Sequence, residues 1–290
     1  MNPNRYLVFG FQSSGKTTFA AALWHLVDSR EVQTALAKGK HVGDFRYLEE
    51  IARSWCEGWQ VERTKMQQVE EIKINLQHPG SGAELVLEFA DLSGETFEKA
   101  FATRLCPPAF VDLVKDASGL LLFVSADRFL DDVTILDAFA GEEAEQSVPE
   151  DDQGDKTPWD PAKTPLQVQI VDLLQALRFA PFVKRPFKVA VIVSAWDLAE
   201  ETSADSWLAM KMPLLEQYLR NADAAAEVRV YGVSAQGGQL SKKGEAPGPD
   251  RDRLLALDRP SERIEIVGTD VRDHDLTGPL LWLSGLDKRA

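Results

Sequence analysis

Gly10-Phe11-Gln12-Ser13-Ser14-Gly15-Lys16-Thr17 carries the spacing G-x-x-x-x-G-K-[ST]. That spacing suits a loop that wraps an anionic group with its own backbone. Gly10 and Gly15 are expected at positive φ, so that several N–H groups converge in one nest. A helix opening at Lys16 adds the positive end of its dipole to the same point. In that frame Lys16 reaches the β- and γ-phosphates of a nucleotide and the Thr17 hydroxyl ligates Mg2+. Gln12, Ser13, Ser14 and Thr18 complete the expected cradle. The flanks agree with this reading. Tyr6-Leu7-Val8-Phe9 is an apolar run suited to a buried strand, and Phe19, Ala20, Leu23, Trp24, Leu26 and Val27 recur at helical spacing.

The chain has 290 residues, enough for one large domain with insertions. It is 44% hydrophobic and 27% charged, which allows a real core under a polar surface. The net charge of -14 argues against nucleic acid as a main partner, because phosphate binding over a surface needs a basic face. Cys56 and Cys106 stand far apart without C-x-x-C spacing and read as two free thiols. The N-terminus runs straight into the first strand without a signal-peptide pattern, and the longest apolar run, near Leu120 to Ala126, is too short to span a bilayer. A cytoplasmic protein with no membrane partner is the expectation.

Moving outward from the loop, Phe45, Leu48, Ile51, Trp55 and Trp59 fall three or four apart and read as an amphipathic helix. Its tryptophans suit packing better than base stacking. Val69 to Gln77 alternates, Pro79-Gly80-Ser81-Gly82 turns, and Leu85 to Ala90 returns, which predicts a β-hairpin. Helices are expected over Thr96–Arg104 and from Pro108 through Lys115, and a buried strand over Gly119–Ser125. Glu142, Glu143, Glu145, Glu150, Asp151, Asp152 and Asp155, without intervening Lys or Arg, read as a solvated loop rather than a metal site or docking tail. Further helices are expected over Leu166–Phe179 and Trp207–Leu219, the second kinked at Pro213. Strands are expected over Phe187–Val193 and Val228–Val233, a small one at Ile264–Val267, and a closing helix over Leu276–Leu286.

Strands alternating with helices imply a mainly parallel sheet covered on both faces, with ligands beyond the carboxyl ends of the strands. Besides the loop, four motifs fall near strand ends. Asp91 follows the hairpin strand and is suited to the Mg2+ shell, and Gly94 offers an amide to the γ-phosphate. Arg63-Thr64 precedes the hairpin, and Thr64 is placed to close over Mg2+ when the γ-phosphate is present. Ser194-Ala195-Trp196-Asp197 puts a carboxylate where it can accept from the N1 and N2 groups of guanine. Ser234-Ala235 can offer a backbone N–H to guanine O6.

With these motifs in order, the chain resembles a Ras-like, translation-factor-related P-loop GTPase, and more narrowly the bacterial double-GTPase type 1 family. The narrower likeness rests on GKTTFAAALWHLV, the Trp-rich helix before Arg63-Thr64, DLSGE, and the closing DLTGPLLWL. The resemblance implies an α/β P-loop NTPase three-layer sandwich, with a mostly parallel sheet, one antiparallel hairpin strand and helices on both faces. It implies a single domain over 1–290 with a helical insertion at 28–63, an acidic loop at 140–165 and a surface insertion at 236–275. It also implies GTP and GDP as ligands with Mg2+, and a protein partner, a second GTPase or an effector, in a prokaryotic conflict or signalling system.

The sequence departs from the family at two points. In the usual N-K-x-D base reader, Ala195 stands where a Lys stem packs over guanine and Ser194 replaces Asn, while Asp197 keeps the discriminating carboxylate. Glu95 follows D-x-x-G where many GTPases carry a water-orienting Gln, which implies slow hydrolysis because a second negative charge nears the γ-phosphate. Arg63 has two readings of equal standing, a finger acting in cis or an ion pair with a surface carboxylate, and Arg104 is a weaker candidate. Three functions therefore remain open: a slow GTPase switch, a nucleotide-binding interaction module with negligible turnover, and an ATPase on the same fold. The scattered His25, His41, His78 and His274 suggest no transition-metal site.

Overall fold

The computed structural model describes residues 3–40, 44–61, 72–89, 94–128, 161, 164–183, 187–201, 203–221, 225, 227–268 and 272–288. Arg63, Thr64, Asp91, His41 and nearly all of the acidic loop lie outside the described residues.

A nine-stranded sheet runs in the order β2-β3-β4-β1-β5-β6-β7-β8-β9. The strands are β1 (Asn4–Phe9), β2 (Ala37–Lys38), β3 (Ile72–Gln77), β4 (Glu84–Phe89), β5 (Gly119–Ser125), β6 (Lys188–Ser194), β7 (Val228–Ser234), β8 (Glu265–Val267) and β9 (Arg272–Asp273). The five central strands β4, β1, β5, β6 and β7 are parallel. Antiparallel pairing goes further than one hairpin strand: β2 and β3 flank one side, and β8 and β9 extend the other.

The strand period of two explains the near-continuous apolar runs. In β1, Tyr6 and Val8 enter one core while Leu7 and Phe9 enter the other. In β6, Ala190 and Ile192 face the first core and Val189, Val191 and Val193 the second. The first core is covered by α1 (Lys16–Ser29), α2 (Arg46–Cys56) and α9 (Gly278–Ser284). The second is covered by α3 (Glu95–Thr103), α4 (Pro108–Asp116), α5 (Leu166–Ala176), α6 (Ala204–Lys211) and α7 (Pro213–Leu219). This is a three-layer α/β sandwich of P-loop type.

The expected Trp207–Leu219 helix is two helices. Met212 leaves helical geometry at φ -132° and ψ 57°, and Pro213 opens α7. A proline lacks the N–H that would continue α6, whereas the first turn of a new helix needs none. Residues 236–275 do more than decorate the surface. They include the short α8 (Arg251–Leu255) and bury Leu240, Leu254, Ile264 and Ile266. Arg263 from this segment lies 3.6 Å over the Trp55 ring and donates 2.6 Å to the Trp55 carbonyl.

Candidate nucleotide site

The turn after β1 is held by Lys16. Its ammonium donates to the Gly10 and Phe11 carbonyls, both at 2.7 Å, and to Ser14 Oγ at 3.3 Å. Ser14 Oγ in turn donates to the Phe11 carbonyl at 2.9 Å. Lys16 is only 2% exposed, so these bonds satisfy a charge that burial would otherwise penalise. Positive φ falls on Ser13 (63°) and Gly15 (85°), not on Gly10. Gly10 is needed for a different reason: a Cβ there would lie 2.6 Å from Ser14 Oγ and 2.9 Å from Phe123 Cβ. Gly15 both adopts the left-handed cap of α1 and admits Ser194, which a Cβ would meet at 2.7 Å.

The base-reading turn follows β6. Ala195 is left-handed at φ 53°, and Trp196–Leu198 forms one 3-10 turn. The Trp196 ring packs against Gly232 of β7, where a Cβ would come within 2.3 Å of it. That contact seats the turn and leaves Asp197 at the sheet's carboxyl edge. Ser234 is 2% exposed; its hydroxyl donates to Asp197 Oδ1 at 2.6 Å and accepts from the Gly237 N–H at 3.2 Å. Ser234 therefore orients the carboxylate from behind. The Ala235 carbonyl accepts from Trp55 Nε1 at 2.9 Å.

One cleft of about 530 Å3 joins the two turns. Ser13, Ser14, Gly15, Lys16, Thr17 and Thr18 line its phosphate end, and Ser194, Ala195, Asp197 and Ala235 line the other. Gly10, Gln12 and Ser234 support the wall rather than line it, Ser234 through its hydroxyl. Gly94 opens α3 at φ 83° and presses on the loop, with a Cβ position 2.4 Å from the Gln12 nitrogen. Glu95 is not brought to the cleft wall; it heads α3 and pairs with Lys99 at 3.9 Å. Arg104 caps α3, pairs with Asp172 of α5 and stacks on Phe101, so its charge is used between helices.

Several wall residues escaped the motif reading: Gln60, Val61, Ser125, Asp127, Gln236, Gly238, Gln239 and Leu240. Ser194 Oγ donates to Ser125 Oγ at 3.0 Å, which donates to Asp127 Oδ1 at 2.5 Å. Ser125 ends β5, so the carboxyl-end rule was signal enough for it. Gly232 inside a strand was likewise a mark of close approach. Gln60 and the 236–240 stretch carried no local signal. Their meeting depends on the Gln60 N–H donating to the Ser241 carbonyl at 2.9 Å.

The cradle fits a nucleotide's phosphates: its end of the wall carries the buried lysine, the left-handed Gly15 and the head of a 14-residue helix. Such a loop on such a sheet defines a P-loop nucleotide-binding domain. The sequence matches the Double-GTPase 1 family over residues 7–283. The chain belongs to that family, which makes it a GTPase-family, GTP-binding protein. No curated protein matches it. Among solved structures it is similar to the bacterial selenocysteine-specific elongation factor EF-Sec, at 15% identity and TM-score 0.39, over 82% of this chain and 27% of that one. It is also similar to the S. cerevisiae Ski7 GTPase-like domain bound to GTP, at 13% identity and TM-score 0.42, over 90% of this chain and 52% of the other. The same domain bound to GDP and inorganic phosphate matches at 15% identity and TM-score 0.42, with the same coverage. The chain thus spans about a quarter and about half of those proteins.

Proposed function

We propose that this protein is a Mg2+-dependent GTP-binding switch that hydrolyses GTP slowly. The observation that carries the reading is the pairing of Lys16 and Asp197 on the wall of one cleft, one at each end. Lys16 exchanges the Gly10 and Phe11 carbonyls for phosphate oxygens, and Asp197 accepts from the guanine edge. Thr17 lines the phosphate end and would hold Mg2+, with Thr64 and Asp91 as sequence-assigned companions. The metal's part is to neutralise charge on the β- and γ-oxygens. Guanine selectivity rests on Asp197, held by Ser234, without a Lys stem at Ala195.

The protein is expected to work with a protein partner, a second GTPase or an effector, in a bacterial conflict or signalling system. The -14 charge speaks against nucleic acid. Among the described residues no helix is long and apolar enough to cross a membrane. A cytoplasmic setting is the proposal.

Affinity and turnover measured together test the reading, with GTP, GDP, ATP and a non-hydrolysable GTP analogue on wild type and Asp197→Ala. Guanine binding that collapses in the variant supports it. Equal ATP binding, indifferent to Asp197, defeats it and points to an ATPase. The placement of Glu95 beside Lys99 favours a second reading, a nucleotide-gated interaction module without turnover. Turnover no higher than that of Lys16→Ala would establish that module.

A further inference from the structure

Away from the cleft, three side chains from α1, the turn after it and α2 form a chain. His25 Nε2 lies 3.1 Å from Glu31 Oε1, and His25 Nδ1 lies 3.1 Å from Cys56 Sγ. The other Glu31 oxygen, Oε2, accepts from the Ser261 N–H at 3.0 Å. Burial pushes the Glu31 carboxyl up, but the bonds from Ser261 and His25 outweigh it and hold the group below its ordinary value. An ionised Glu31 is acceptor-only, so Nε2 carries the ring proton and Nδ1 is left to accept from the thiol. A nucleophile beside a base that a third group orients is the arrangement of an activated nucleophile.

A second observation concerns Arg263, whose charge is close enough to act on the Cys56 thiol. Arg263 is 5% exposed, yet its Nε and Nη1 have no hydrogen-bond partner. Its remaining terminal nitrogen is committed to the carbonyl of Trp55, the residue before Cys56. Nε and Nη1 carry three buried N–H donors; the guanidinium stacks on Trp55, but only a negative oxygen reaching them would pair the donors.

We propose that Cys56 is a reactive thiol site, with His25 as its base and Glu31 orienting the ring, and that its co-reactant is a small hydroperoxide. Burial raises the thiol pKa, so Cys56 rests protonated, and it is partly exposed to small solutes. As sulfur attacks the peroxide, the thiol proton passes to His25 Nδ1 and the O–O bond breaks. One oxygen joins sulfur as a sulfenic acid. The departing oxygen, hydroxide from hydrogen peroxide or alkoxide from an alkyl hydroperoxide, takes the proton from the imidazolium and leaves as water or alcohol. Sulfur is oxidised and the peroxide reduced. The unpaired Arg263 N–H groups supply donors to the new oxygen.

Cys106 is the internal control: it is also partly exposed, and among the described residues no imidazole is bonded to it. The full chain is treated with hydrogen peroxide and dimedone, and labelling at each cysteine is read by peptide mass spectrometry. Cys56 is expected to label about tenfold faster than Cys106, a tenth of the roughly hundredfold at the low end of what a positioned base supplies. His25→Asn and Glu31→Ala are each expected to slow Cys56 and leave the Cys106 rate unchanged. Labelling of Cys56 no faster than Cys106 in wild type, a comparison that needs no variant, overturns the proposal. So does an unaltered Cys56 rate in folded His25→Asn.

Discussion

Ser234 donates a 2.6 Å hydrogen bond to Asp197 from the end of the neighbouring strand, and the Gly237 N–H fixes that hydroxyl from its other side. The carboxylate is thus aimed before any base arrives. Ser234→Ala removes one such bond, worth about 1 kcal/mol, or roughly fivefold in guanine affinity. Calorimetric titration with GDP checks this. Asp197→Ala is expected to lose more, and to lose the preference of GTP over ATP.

Lys16→Met keeps the unbranched stem, one atom shorter, and removes its charge. Nucleotide binding is expected to disappear. The ligand-free protein should also lose about 1–3 kcal/mol, because the Gly10 and Phe11 carbonyls keep no ammonium. Urea unfolding of both proteins without nucleotide measures that loss.

Gly94→Ala and Gly82→Ala separate backbone strain from collision. Both glycines have positive φ, 83° and 69°, but a Cβ at Gly82 meets nothing within 4 Å while one at Gly94 strikes the loop. Gly82→Ala should cost about 1–2 kcal/mol. Gly94→Ala should cost more and weaken nucleotide binding as well. Equal costs, with affinity unchanged, would mean that α3 does not bear on the loop.

Arg104→Ala tests the exclusion of that residue from chemistry. Its guanidinium is more than half exposed and tied to Asp172. Stability should fall by no more than about 1 kcal/mol, with turnover unchanged. A turnover loss of tenfold or more would return Arg104 to the list of candidate fingers.

Asp275 gives a signed pH effect. Burial raises its carboxyl pKa, against the lowering pull of bonds from Thr277 and Ala35, with Asp273 adding to the rise. The native state then holds the proton more tightly than the unfolded chain. The stability gained is complete below the ordinary carboxylate pKa and is lost as pH rises through the raised one. Thermal melts across the acidic range should show wild type losing ground to Asp275→Asn as pH climbs. Parallel curves would refute this.

The sheet and the phosphate end were legible because they are written locally. Residues 4–29 hold strand, loop and helix in one run, and the apolar stretches of β5 and β6 announce burial on two faces. The base end was legible only in part. Asp197 stands in a motif, but the contacts that aim it come from Gly232 and Ser234 on another strand and from Gly237 just beyond it. Gln60 and Leu240 reach the wall through pairings distant in sequence, which no periodicity encodes. Glu95 shows the same limit: its place after Gly94 is written in the sequence, but its pairing with Lys99 comes from the first turn of α3.

The bond from Trp55 to Ala235 joins positions 180 residues apart. A growing chain presents its phosphate loop early, yet the wall opposite cannot exist until β7 is made and placed. Closure over that distance is entropically expensive and slow, so it belongs among the last events of folding. A ligand gripping both ends therefore binds only completed molecules. Its free energy of binding is added to the whole structure rather than to one half. On the proposed reading, in which Asp197 receives guanine, chains that end before Ser234 lack the hydroxyl that aims the carboxylate, so tight nucleotide binding would mark completed molecules.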